Sequence, residues 1–423
     1  MLLRRMSTRF WTGCWNAISS RSPMVRSDAA GARLAPLSSI EIATSRPSGL
    51  DRSRPVLEES AAATPRTAFR DTVRSALEHG PCVMSFSGGR DSSAVLAAAV
   101  DVARAEGLAL PIPATLHFPG IEESHESEWQ NLVLDHLGVT ERLQYSLTTE
   151  MDALGESARE LLTAFGVMWP FNTHLHGVIC RDAAGGTLVT GFGGDELALS
   201  ASNRWSARAL ANPRGLTPRK VMSIVHYGSP QPFRYVADLP FSMPDRLDFP
   251  WLTRKGRAQA THRSATDSAS IPMGWGKILR EWIPRSRYFE MAKQSMNDLA
   301  SLHDVRVVHP FVSSPVLQAF AAHSPSVGLR GRRAMMELLV GGLLPAEVMK
   351  RTSKASFTPS LWNGESREFA RDWDGTGLDE TIVRPEIVRA EWLREDPGVH
   401  SLCLLQQAWL SSQKSFPLRE GHA

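Results

Sequence analysis

Ser87-Gly88-Gly89-Arg90-Asp91-Ser92-Ser93 is a string whose residue types suit the handling of phosphate. Two adjacent glycines let backbone N–H groups turn inward into a nest for an anion. Ser92 and Ser93 would open the following helix, where N–H groups outside the helical ladder and the helix dipole favour negative charge. Asp91 sets a carboxylate beside those phosphates, which makes sense only with Mg2+ between them. The string lacks the Gly-Lys-Ser/Thr ending of a Walker A loop. The plain alternative is a helix-capping Gly-Ser turn. A second turn, Thr190-Gly191-Phe192-Gly193-Gly194-Asp195-Glu196-Leu197, places another carboxylate at the start of another helix. Read alone, it is equally an acidic first helical turn.

For both turns to serve one ligand, each must follow a strand and precede a helix. Residues 82–86 form a short apolar run ahead of the first turn, and residues 92–106 continue it as a helix with Val95, Leu96, Ala99, Val102 and Ala103 on one face. Residues 112–118, 142–146 and 187–190 read as further strands, and residues 126–137 and 151–165 as helices. Strand–helix alternation at this spacing predicts an α/β fold: an open, mostly parallel sheet with helices on both faces. Strand signals fade after Asp195, and residues 201–423 read as mainly helical, with Pro-rich loops in their first hundred residues. Residues 1–68 carry no sustained apolar period. We expect them to be a disordered or mis-called N-terminal tail, a transit-peptide composition being the alternative. A synthetase unit over residues 69–423 would follow, with the α/β core in 69–200 and the substrate side in 201–423.

Composition removes several classes. Of 423 residues, 42% are hydrophobic and 22% charged, which excludes a wholly disordered or fibrous chain. Net charge is 47 − 44 = +3, and the first 50 residues contribute 7 − 2 = +5, so the remainder is slightly acidic. That disfavours a nucleic-acid binder. Cys14, Cys82, Cys180 and Cys403 form no CxxC pair, which argues against a disulfide scaffold or zinc cluster. No apolar run is long enough to span a membrane, and we expect a cytoplasmic protein. Only seven of the 47 basic residues are lysine, all from Lys220 onward.

The first string resembles the SGGxDS loop of the ATP pyrophosphatases, and the second resembles the GxGxDEL turn of the asparagine synthetase C-terminal domain. Residues 305–311 resemble that family's vRxPFLD segment, with Ser313 where the pattern ends in Asp. Lys350-Arg351-Thr352-Ser353-Lys354-Ala355-Ser356-Phe357 resembles its lP…R…K…F stretch. The later Trp362, Ala390-Glu391-Trp392 and Gln407-Ala408-Trp409-Leu410 look like the tail of lasso-peptide cyclases, which belong to the same group of enzymes.

The resemblance implies a HUP-type ATP-pyrophosphatase (adenine nucleotide alpha hydrolase-like) sheet and a ligase that adenylates a carboxylate, releases pyrophosphate and passes the acyl group to an amine. It implies ATP on Ser87, Gly88, Gly89, Asp91, Ser92, Ser93 and Gly193, with adenine near Leu116 to Phe118, and Mg2+ on Asp91 and Asp195. Lys354 would be the catalytic cation, with Lys350 as second choice. Phe192 stands where asparagine synthetases carry a glutamate and β-lactam synthetases a tyrosine. Phenylalanine cannot move a proton, so the amine arrives neutral or the base comes from elsewhere. Leu2 follows Met1 where a glutaminase nucleophile would be cysteine. The amine is therefore free ammonia, a partner's product or the substrate's own. The implied partners are a carboxylate substrate, small molecule or precursor peptide, an amine, and peptide-processing proteins. Asparagine synthetase-type amidation, a tRNA-modifying ATP pyrophosphatase and a non-catalytic nucleotide-binding relative stay open.

Overall fold

The computed structural model describes residues 33–59, 63–119, 126–198, 217–244, 248–323, 328–329, 331–351 and 361–415. Each of the four expected strands forms. β1 (Cys82–Ser85), β2 (Ile112–His117), β3 (Leu143–Ser146) and β4 (Thr187–Val189) join a fifth, β5 (Arg306–Val308), in a parallel sheet ordered β3-β2-β1-β4-β5. The fifth strand lies where the strand signal has faded, in a remainder that is otherwise mainly helical as expected. Three residues are too few to show a period, and β5 is recognisable only by its pairing with β4.

The strands alternate their side chains between two cores. Cys82, Met84 and Val189 enter one apolar cluster, and Val83 and Leu188 enter another on the opposite face. Burial on both faces explains why these strands read as continuous apolar runs.

Helix α1 is Ser39–Ala43 and α2 is Pro65–Leu77. Helix α3, Arg90–Glu106, follows β1. Its residues 92–100, 102 and 103 are all buried, not one stripe of them, because α2 and Arg332–Val340 both pack on it. Its run of alanines permits that close approach. Helix α4, Ser127–Leu137, ends at Gly138 with φ +59°, and α5 is Glu156–Phe165. After β4 come α6 (Gly194–Ala198), α7 (Pro218–Gly228), α8 (Gln231–Asp238), α9 (Arg254–Ser270) and α10 (Arg287–Ser301). Beyond β5 lie α11 (Ser314–His323), α12 (Arg332–Val340), α13 (Ala346–Lys350), α14 (Gly364–Asp372), α15 (Pro385–Trp392) and α16 (Leu402–Ser415).

Residues 34–59 and 63–68 are not a loose tail. Leu34, Leu37, Ile40, Ile42 and Ala43 are buried in a cluster with Trp251, Trp392 and Leu405. The indoles of Trp169 and Trp251 donate to the carbonyls of Ser45 and Ala43, each at 2.9 Å. Glu41, 2% exposed, accepts from Arg287 Nε at 2.7 Å and from the Ser38 and Ser48 N–H groups. Burial raises its pKa, but Arg287 and those N–H groups outweigh burial and hold it below the ordinary value. Among the described residues, no helix is long and apolar enough to cross a membrane.

Candidate active site

Strands β1 and β4 are neighbours, with Cys82 opposite Thr187 and Met84 opposite Val189. From β1 the sheet builds toward β2 and β3, and from β4 toward β5. The order reverses between β1 and β4, so the turns after them emerge side by side at the crevice where open α/β sheets bind ligands.

The two turns touch closely enough to demand glycine. A β-carbon on Gly191 would lie 2.8 Å from the Ser92 nitrogen, and one on Gly194 would lie 2.5 Å from Cγ of Asp91. On Gly193, at φ +91°, it would meet Val312 at 2.3 Å. Gly88, at φ +79°, lies against Gln130. The first turn ties itself together: the Ser87 N–H donates to Ser92 Oγ at 3.3 Å, and the Gly89 N–H donates to Ser87 Oγ at 3.3 Å. Helix α3 begins at Arg90 with Gly89 as its cap, two residues earlier than expected, which puts Asp91 in the first helical turn.

Arg332, the first residue of α12, reaches both acids. Its Nη2 pairs with Asp195 Oδ1 and lies 3.7 Å from Asp91 Oδ2. The two aspartates paired from sequence therefore converge on one cation. Arg90 is nearby: burial, then Arg332 and Arg351, push its pKa below the ordinary value, against the pull of Asp91. Several guanidiniums around a glycine turn suit a polyphosphate, whose charge offsets their repulsion. Mg2+ fits as well, since it takes one or two carboxylates and fills its shell with phosphate oxygens and water. Among the described residues, no group of three or more His, Cys, Asp or Glu forms an all-protein metal cage.

Arg351 holds the first turn from behind. Its Nη1 donates to the Gly88 carbonyl at 3.0 Å, its Nη2 pairs with Glu126, and its guanidinium lies 4.7 Å from the Trp129 ring centroid.

Other expected residues are placed as follows. Ser93 lies deeper than a cradle residue should: it is fully buried, and its N–H makes a helical bond to Gly89 O at 2.9 Å. The Gly89 N–H is likewise taken by Ser87, so the turn's anion contacts must come from other N–H groups. Leu116, near the end of β2, is half-buried beside Tyr145. Ser313, where the motif ends in Asp, bonds the Pro310 carbonyl at 2.9 Å. Lys350 is exposed at the end of α13, and Lys354 lies outside the described residues.

Phe192 stands edge-on to His309 and Phe289, with ring centroids 5.4 and 6.1 Å away. Its N–H donates to Thr190 Oγ1 at 3.2 Å, and that hydroxyl shares a 2.6 Å hydrogen bond with His309 Nδ1. Burial, helped by Lys293 and His176, lowers the His309 pKa to about 3, so a neutral imidazole braces the second turn. Glu196 accepts from the Tyr288 hydroxyl at 3.2 Å. Burial and Glu196 push Tyr288 up to about 12, so it stays protonated and orients that carboxylate.

The sequence does not single out Arg332, Glu126 or Tyr288, and Arg351 stands in it only as part of the Lys350-to-Phe357 stretch, with no role of its own. With 47 − 7 = 40 arginines in the chain, no arginine stands out by composition, whereas lysine is scarce enough for Lys354 to do so.

The sheet order, paired glycine turns and converging carboxylates define a nucleotide-handling α/β protein. Residues 65–411 match the asparagine synthase family, and the chain belongs to that family. Its members are ATP-dependent carbon–nitrogen ligases, which gives this chain ATP binding and ligase activity in general terms. No curated protein matches the chain.

Proposed function

We propose that this protein uses ATP to adenylate a carboxylate and joins the acyl group to an amine, the carboxylate being an Asp or Glu side chain of a precursor peptide and the amine that peptide's own. The observation that carries this reading is the convergence of Asp91 and Asp195 on Arg332 at the point where the strand order reverses. In the first step the carboxylate oxygen bonds to the α-phosphorus, and the bond to the β-phosphate oxygen breaks as pyrophosphate leaves. In the second, the amine nitrogen bonds to the acyl carbon, the bond to AMP breaks, and the amine loses a proton.

Mg2+ bound by Asp91 and Asp195 would supply charge neutralisation to the pyrophosphate. Arg332 and Arg90 add fixed positive charge on that side, where preorganised cations contribute most. Gly88 and the opening of α3 seat the phosphates. Lys354 offsets charge at the adenylate. Phe192 offers no proton acceptor, and Glu196, oriented by Tyr288, is the carboxylate we assign to receive the amine proton. Residues 201–423 supply the substrate side, and peptide-processing proteins are the partners this reading requires.

The test is pyrophosphate and AMP release over a panel of carboxylates and precursor peptides, with Asp91→Ala and Asp195→Ala as inactive controls. ATP binding without AMP formation on any acid refutes the ligase reading. Amidation by free ammonia, with no peptide ring formed, refutes the cyclising version. Lys354→Ala should keep ATP binding and lose amide formation, and normal turnover would remove Lys354 from the mechanism.

A further inference from the structure

Far from the glycine turns in sequence, α7, α8 and the segment after them expose an unusual amount of apolar surface. Thirteen large apolar side chains are exposed among the described residues, and seven of them fall between residues 221 and 243. Val221, Met222 and Val225 share one face of α7, at helical spacing. Phe233 and Val236 lie three residues apart on α8, and Phe241 is 90% exposed. An amphipathic helix normally turns such a face inward. Here α8 packs on α9 through its other side, where Arg234 is buried and donates to the Ile271 carbonyl at 2.6 Å. A concentration of exposed apolar side chains like this marks an interaction surface.

Beside this ridge runs a groove of about 1,030 Å³, lined by Tyr235, Met243, Arg254, Arg257, His262 and Arg384 among others, with no acidic side chain among the described residues that line it. Ridge and groove share α8 and Met243. Asp238, the acid of α8, faces His226 at 3.2 Å. Arg254 is exposed on the first turn of α9. A concave, one-sign cleft concentrates the opposite charge.

We infer that this ridge and groove dock an acidic peptide segment with interspersed apolar residues, carried by a partner protein. The groove selects a chain over a lipid surface, because a bilayer cannot enter a cleft. The absence of acids from the lining selects against a second copy of the same face, which would set arginines against arginines. Acidic side chains would lie in the groove, and apolar ones on Phe233 and Phe241. The ridge and groove lie within the part of the chain assigned above to the substrate side, but none of their residues takes part in the ligase steps, so a failed ligase assay leaves peptide docking standing and failed docking leaves the ligase steps standing.

The test is fluorescence anisotropy of a labelled amphipathic Leu/Glu peptide titrated with the full-length protein. Saturable binding should weaken at least about tenfold in Arg254→Glu and in Phe233→Ser/Phe241→Ser, and should fall as salt rises. All these side chains are exposed, and unchanged circular dichroism and melting will show that the variants fold. Equal binding of a Leu/Lys peptide, or undiminished binding by the variants, overturns the inference. So does sedimentation of the protein with anionic vesicles in place of peptide binding, or self-association that Phe233→Ser/Phe241→Ser abolishes.

Discussion

Replacing Arg351 with methionine removes the cation that ties the first glycine turn to α4 and leaves an apolar chain of similar length. The Arg351 side chain is 4% exposed and that of Glu126 is 12% exposed, so the pair is buried and little screened by water. Removing one member of a buried pair costs about 3–5 kcal/mol, because the other charge is left uncompensated. The contact with Trp129 and the hydrogen bond to the Gly88 carbonyl disappear with it, and that figure already includes part of both losses. Glu126→Gln alone should also destabilise, leaving Arg351 without its anion. The double variant should be less destabilised than the sum of the singles, by about 0.5–3 kcal/mol, because no orphan charge remains. Urea unfolding of the four proteins measures this cycle. Calorimetric titration with ATP should show affinity falling about tenfold or more in Arg351→Met, since a hydrogen bond from a charged donor contributes about 1.5–3 kcal/mol to holding the turn. A cost below about 0.5 kcal/mol, as at an ordinary surface site, or an additive cycle refutes the anchoring role.

Gly191→Ala should weaken ATP binding more than tenfold while circular dichroism stays unchanged, because its β-carbon would lie 2.8 Å from the Ser92 nitrogen. Acid should destabilise the fold through His174 and His309, which burial depresses to about 4 and about 3. A depressed pKa gives stability that is complete above the unfolded value of about 6.5 and lost as pH falls toward the folded value, by about 2 kcal/mol per histidine at pH 5. Unfolding curves from pH 8 to 4.5 measure the loss, and His309→Gln should flatten the slope. Burial pushes the Cys82, Cys180 and Cys403 thiols up to about 12, so a thiol-specific colorimetric reagent should miss all three until denaturant is added.

The two glycine turns were legible because their physics is local. Positive φ at Gly88, the Gly89 cap and the helix after it are set within a few residues, and the β1–turn–α3 unit forms where the sequence predicts it. Strands β1 and β4 are legible for a related reason: burial on both faces writes an apolar run into each, whereas β3 at the sheet edge alternates half-buried and exposed residues. Glu41 shows the limit. In sequence it lies in an irregular, Ser- and Pro-rich stretch, yet it is buried against Arg287, 246 residues away. Nothing local to either residue announces the pair.

The sequence by itself determined two glycine-rich turns, each with an aspartate at the start of a helix, and a parallel α/β sheet to carry them. Only the tertiary structure decided that β1 and β4 are adjacent, and adjacency is what turns two separate glycine turns into one site. It also decided which arginines matter. Arg332 and Arg351 act through partners whose places in space follow from the strand order and the packing of α12 and α13. Arg351 meets Gly88 across 263 residues of chain, a separation at which no pattern of residue types encodes a contact.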